Sequence, residues 1–151
     1  METSNLTRLR ADASMSSDQR ALLSKAQEFL SAFPWCNAIQ TAYVGCIIEG
    51  IVGVFLFEII PSAPEIDNQL WVVVGDLPPA YLVTDRAQDP ASALKLYIKE
   101  MKAWVKAVRT DSPTDDIIPV NAKASKENAA ALESRLNFLA KKVVRVCGKG
   151  Q

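Results

Sequence analysis

A chain of 151 residues, 49% of them apolar, is long enough for one domain with its own core. Seventeen bases offset seventeen acids and there is no histidine, which removes Ser-His-Asp and Cys-His nucleophile pairs and every imidazole metal ligand. The three cysteines, Cys36, Cys46 and Cys147, are odd in number and widely spaced, and fit neither a disulfide framework nor a paired zinc motif. They are expected to be reduced thiols in a cytoplasmic protein. The polar N-terminus has no apolar segment of the signal-peptide kind.

Residues 1–15 lack hydrophobic periodicity and are expected to form a flexible tail, with a single domain over 16–147. Ser16 or Ser17 caps a first helix reaching about Phe33, where Leu22, Leu23, Ala26, Phe29, Leu30 and Phe33 recur at helical spacing. Pro34 ends it. Two apolar strands follow, over 37–48 and 51–60, joined at Glu49-Gly50, where Gly50 supplies a left-handed residue. The run from Tyr43 to Ile60 approaches a membrane span in length, but Glu49, Glu58 and three glycines interrupt it and no Lys or Arg cluster flanks it. Simple alternation assigns Ile39, Thr41, Tyr43 and Ile47 to one face of the first strand, and Ala42, Val44, Cys46 and Ile48 to the other.

After a loop over 61–68, the stretch W-V-V-V-G-D-L-P-P-A-Y-L-V-T-D from Trp71 to Asp85 reads as a central hairpin joined by Asp76, Leu77, Pro78 and Pro79. Asp89-Pro90 then opens a second helix with an N-cap and a proline in its first turn. Its apolar stripe is Leu94, Tyr97, Ile98, Met101, Trp104, Val105 and Val108. A polar connection over 110–120 leads to a last helix capped by Ser125, with Leu132, Leu136, Leu139 and Val143 inward and Gly148 as its stop. The order is helix, four strands, two amphipathic helices: an α+β domain whose sheet is a four-stranded antiparallel meander, since no connection between strands is long enough for a parallel crossover. The strands are apolar on both faces, so both must be covered. Three helices are few for that work, and a homodimer is expected, with Phe55, Phe57 and Trp71 as candidate contacts.

Charge is segregated along the chain. Residues 37–89 hold seven acids and one base, 90–109 five bases and one acid, and 121–151 seven bases and two acids. Lys95, Lys99, Lys102, Lys106 and Arg109 form a basic stripe on the second helix, read as a solvated face rather than a nucleic-acid surface because net charge is zero. No phosphate-loop or dinucleotide motif occurs, and neither a metal nor another cofactor is expected. The sharpest carboxylate pair is Asp76 and Asp85, bracketing Tyr81, with Glu58 as a further acid. Together they could serve a ligand site, a divalent cation or acid-base chemistry, although Asp76 before Leu77-Pro78 equally suits a turn cap.

With W-V-V-V-G-D-L-P-P-A-Y-L, the helix L-K-L-Y-I-K-E-M-K-A-W-V-K-A-V, and then I-I-P-V and S-R-L-N-F-L, the chain resembles a group of small bacterial proteins over roughly residues 30–143. The resemblance implies a cytoplasmic bacterial protein and carries no activity to any residue. Two functions are expected to compete. One is a non-enzymatic protein-interaction module, of immunity or accessory, regulatory type, with no nucleic-acid or membrane partner. The other is a small-ligand binder or enzyme using carboxylates near Asp76 and Asp85.

Overall fold

The computed structural model describes residues 7–8, 15–120 and 123–149. Most of the tail expected over residues 1–15 lies outside them. Thr7–Arg8 form a two-residue strand β1, aligned with Val44 and Tyr43. Helix α1 spans Ser17–Ser31, and its Ser16 cap and Gln19 exchange hydrogen bonds as a capping box. The four long strands are β2 (Cys36–Ile48), β3 (Val52–Pro61), β4 (Gln69–Gly75) and β5 (Leu77–Val83). They pair antiparallel with their sequence neighbours, and β1 adds to the outer side of β2. The expected meander is therefore the fold. Helix α2 (Pro90–Arg109) follows, capped by Asp89, which accepts from Ser92 N. Ser125 caps α3 (Lys126–Phe138), which continues through a wide π turn (Leu139–Val143) into α4 (Val144–Lys149). Gly148 thus lies inside the last helix and does not stop it.

The helices divide between the two faces of the sheet. On one face Val54, Leu56, Trp71 and Val73 pack with Leu94, Tyr97, Met101 and Trp104 of α2 and with the buried stripe of α3 and α4. On the other, Phe55, Phe57, Val72 and Val74 pack with Ala26 and Leu30 of α1. This overturns the expected interface residues: Phe55, Phe57 and Trp71 are each 0% exposed. They are interior because each face has its own helical cover.

Two irregularities change what alternation predicted for β2. Its register against β3 shifts between Ile39 and Thr41 and again between Val44 and Cys46, so Gln40 and Gly45 are extra residues that each reverse the alternation. Tyr43 and Cys46 thereby share the α2 face, while Ile39, Ala42 and Ile47 share the α1 face. Gly45 has a packing reason to be glycine. A Cβ there would stand 2.8 Å from Val54 O and 3.1 Å from Pro90 Cγ, so the bulge lets the start of α2 rest on the backbone.

The reversal also corrects the expectation of three reduced thiols, because Cys46 is bonded to Cys147, with Cα atoms 5.5 Å apart. The bulge turns Cys46 toward the C-terminal helix, and the π turn keeps Cys147 in line with Leu139 and Val143. Cys36 alone is free and is buried, and burial pushes its thiol pKa up.

The β4–β5 turn is tighter than expected. Gly75 pairs with Leu77, so Asp76 alone makes the corner, and Pro78 and Pro79 lie within β5 at a register shift. Prolines are tolerated there because β5 is an edge strand. Gly75 has φ 151°, and a Cβ on it would run into Ile51 O, so only glycine serves.

Candidate functional site

The carboxylates singled out from sequence do not meet. Asp76 and Asp85 flank opposite ends of the seven-residue β5, which separates them by more than 20 Å at roughly 3.3 Å per residue. Both are exposed. Asp76 pairs with Arg135 of α3 at 3.3 Å. Glu58 accepts hydrogen bonds from Tyr43 Oη and from Gln69 Nε2, each at 3.2 Å. Through its register partner Thr41 and neighbour Leu56 it belongs to the α2 face, whereas Tyr81 belongs to the α1 face. Among the described residues, no three His, Cys, Asp or Glu side chains are grouped to hold a metal ion. The basic stripe Lys95, Lys99, Lys102, Lys106 and Arg109 is exposed along α2, and its last member pairs with Glu133 at 2.8 Å.

Tyr81 leads to a different site. A cleft of about 680 Å³ runs beside β5, and five consecutive residues, Pro79 to Val83, line it. Successive strand residues point to opposite faces, so a cavity on one face touches alternate residues only. Contact with all five means that the cleft follows the strand's edge. Its walls agree, because they come from both sides of the sheet. Phe29, Ala32 and Phe33 at the end of α1 form one, and Leu96 and Glu100 of α2 form the other. The connection after α2 closes the far side with Asp116, Ile118, Pro119 and Val120.

Local sequence explains why the cleft is open. Helix α1 stops at Ser31, ahead of Pro34, so Phe29 in its last turns and Phe33 just beyond it lie at the sheet edge only half buried. Phe33 stacks on Trp35 with centroids 4.9 Å apart and meets Tyr81 edge-on at 5.2 Å, while Trp35 and Tyr81 are 5.1 Å apart. These offset and edge-to-face contacts make a rigid wall. Across the cleft, Arg86 and Glu100 form an ion pair at 2.8 Å. Trp71 Nε1 donates to Ala87 O at 2.8 Å, and this ties down the turn that carries Arg86. Tyr97 Oη donates to Pro78 O, fixing the start of β5 to α2, and burial raises the Tyr97 phenol pKa.

The site therefore contains one candidate named from sequence, Tyr81. Phe29 and Phe33 sit on a helical stripe that sequence reads as core, Leu96 lies off the apolar stripe of the second helix, and Arg86 and Glu100 are fourteen positions apart with no motif to join them. The double proline was the one available signal, since adjacent prolines in a strand mark an edge.

No family model, curated protein or solved structure matches the chain. Among the described residues, no helix is long and apolar enough to cross a membrane.

Proposed function

We propose that the chain is a non-enzymatic protein-interaction module, a bacterial immunity or accessory, regulatory protein, that receives its partner in the cleft beside β5. The observation that carries this reading is the lining by five consecutive strand residues, because an open strand edge offers backbone donors and acceptors that suit another polypeptide. The competing enzyme reading drew on Asp76 and Asp85 acting together, and the length of β5 keeps them apart. Nucleic acid is not proposed as the partner: none of the five stripe residues of α2 lines the cleft. The expected homodimer loses Phe55, Phe57 and Trp71 as its contacts, and a second copy paired symmetrically at this cleft would bring the exposed Asp116 rims together.

A small ligand is the second reading. It is favoured by a volume of about 680 Å³ with apolar walls, within the range of roughly 300–1,000 Å³ typical of small-molecule sites. A photo-crosslinking residue placed at Ala32, an exposed position of the cleft wall, separates the two in the native host. The interaction reading expects a protein adduct of discrete mass that a crosslinker at Lys102 does not give. A metabolite retained through native mass spectrometry, with no adduct from Ala32, would replace it with the ligand reading.

The compartment turns on the Cys46–Cys147 bond. A cytoplasmic chain would be held largely as the thiol pair, and an exported one as the bond. Alkylation during lysis, followed by counting blocked thiols in the denatured chain, distinguishes three from one.

A further inference from the structure

The cleft's two-sided walls and its charge define the chemistry of the partner more closely, on the premise that the cleft is the docking site. Strand β5 ends the sheet. Pro78 and Pro79 remove two backbone donors at its start, but Ala80 to Val83 keep theirs. A docked helix satisfies its own backbone and would leave those groups unpaired. An extended segment laid along Ala80 to Val83 would pair with them, and its side chains, alternating at period two, would enter the Phe33 wall on one side and the Leu96 wall on the other.

Charge narrows the choice further. Arg86, the one base among the described residues that line the cleft, is already paired with Glu100 at 2.8 Å, while Asp116 stands exposed on the rim. A shallow depression that continues past Tyr81 and Val83 adds Glu65 and Asp67. With Arg86 and Glu100 neutralising each other, the charges left along the described rim are the acids Asp116, Glu65 and Asp67, which disfavours a second copy of this chain and favours a basic visitor. We infer that the cleft takes, by strand addition to β5, an extended segment of a protein partner in which apolar residues alternate and at least one flanking residue is Lys or Arg.

The test selects short displayed random peptides against the full chain, resynthesises those that bind, and follows backbone amides by NMR. The selected peptides should share alternating apolar residues and a Lys or Arg. On binding, the outward amides among Ala80 to Val83 should slow their exchange by roughly tenfold or more, and Leu96→Asp should weaken binding by at least roughly tenfold. Ala32→Arg, at an exposed position, provides a second block should the Leu96 variant fold poorly. Asp116→Lys should weaken binding about threefold or more and flatten its salt dependence. Failure to select any peptide, or binders indifferent to both cleft variants, would overturn the docking site itself. Binders that either variant abolishes, but that are acidic or leave the β5 amides unchanged, would overturn the strand-addition inference and leave the docking site standing.

Discussion

The two faces of the sheet bear the same kind of apolar strand residues yet are closed very differently. Over Val54, Leu56, Trp71 and Val73 lie α2, α3 and α4, fastened by the Cys46–Cys147 bond. Over Phe55, Phe57, Val72 and Val74 lies α1 alone, whose end is flanked by the half-buried aromatics Phe29 and, just past the helix, Phe33. The thick cover is where stability resides. The thin cover, stopped by Pro34, meets α2 across the β5 edge without closing over it, and the cleft is the gap between the two. Large truncations under the thick cover should therefore cost folding, while changes at the seam should spare the fold and affect binding.

The largest effect is expected from Trp71→Ala. It empties a fully buried indole and frees the carbonyl of Ala87, and should lower the unfolding free energy by about 3–5 kcal/mol in urea titration. Cys46→Ala comes next. The bond spans a sequence separation of 101, and its loss should destabilise by roughly 2–4 kcal/mol, with fraying of α4 visible as faster amide exchange. If reduction leaves both stability and α4 exchange unchanged, the fastening role assigned to the thick side is wrong. Phe33→Ala, at the seam, should cost about 1–2 kcal/mol and open the cleft; a cost equal to that of Trp71→Ala would erase the distinction between the two covers.

Tyr97→Phe breaks the bond to Pro78 O and should cost about 1 kcal/mol, with a characteristic pH dependence. Burial raises the Tyr97 phenol pKa above its ordinary value of 10.0, so the folded state keeps the proton while the unfolded state releases it. Stability from this group is fully present below that value and is lost as pH rises beyond it. Melting curves taken to alkaline pH should fall less steeply for the Phe variant, with buried Cys36, also shifted upward, contributing the same sign to both. The smallest effect is expected at Asp76→Ala. Its exposed pair with Arg135 should be worth under about 0.5 kcal/mol, and a larger loss would give the turn a role that the comparison of faces does not include.

Much of this architecture was legible in the sequence because local signals agreed with the fold. Ser16, Asp89 and Ser125 cap helices where their side chains indicated, and Gly50 adopts φ 78° in the β2–β3 turn. What escaped were features that depend on a neighbour distant in sequence. An extra residue at Gly45 reverses which side of β2 faces α2, and nothing in the alternation of Tyr43, Val44 and Cys46 reveals it. The disulfide follows from that reversal together with a π turn. Counting apolar faces predicted an open side because it could not show that α1 goes to one face and α2 to the other, which buries Phe55, Phe57 and Trp71. The candidate site was hidden for the same reason. Asp76 and Asp85 looked adjacent on the assumption that Pro78-Pro79 made the turn, whereas Asp76 itself makes the corner between the paired Gly75 and Leu77 and the prolines lengthen the strand between the two acids. Tyr81 was found because it lies within that strand, but Phe33, Arg86 and Leu96 join it only through packing.

The central claim is that the edge of β5 is free to receive another chain, and hydrogen exchange of the isolated protein tests it most directly. Alternate amides among Ala80 to Val83 should exchange rapidly while their inward neighbours and the amides of β4 are protected, with no change when protein concentration is raised. Uniform protection along Ala80 to Val83 would show the edge already paired, within the chain or with a second copy, and would contradict the account.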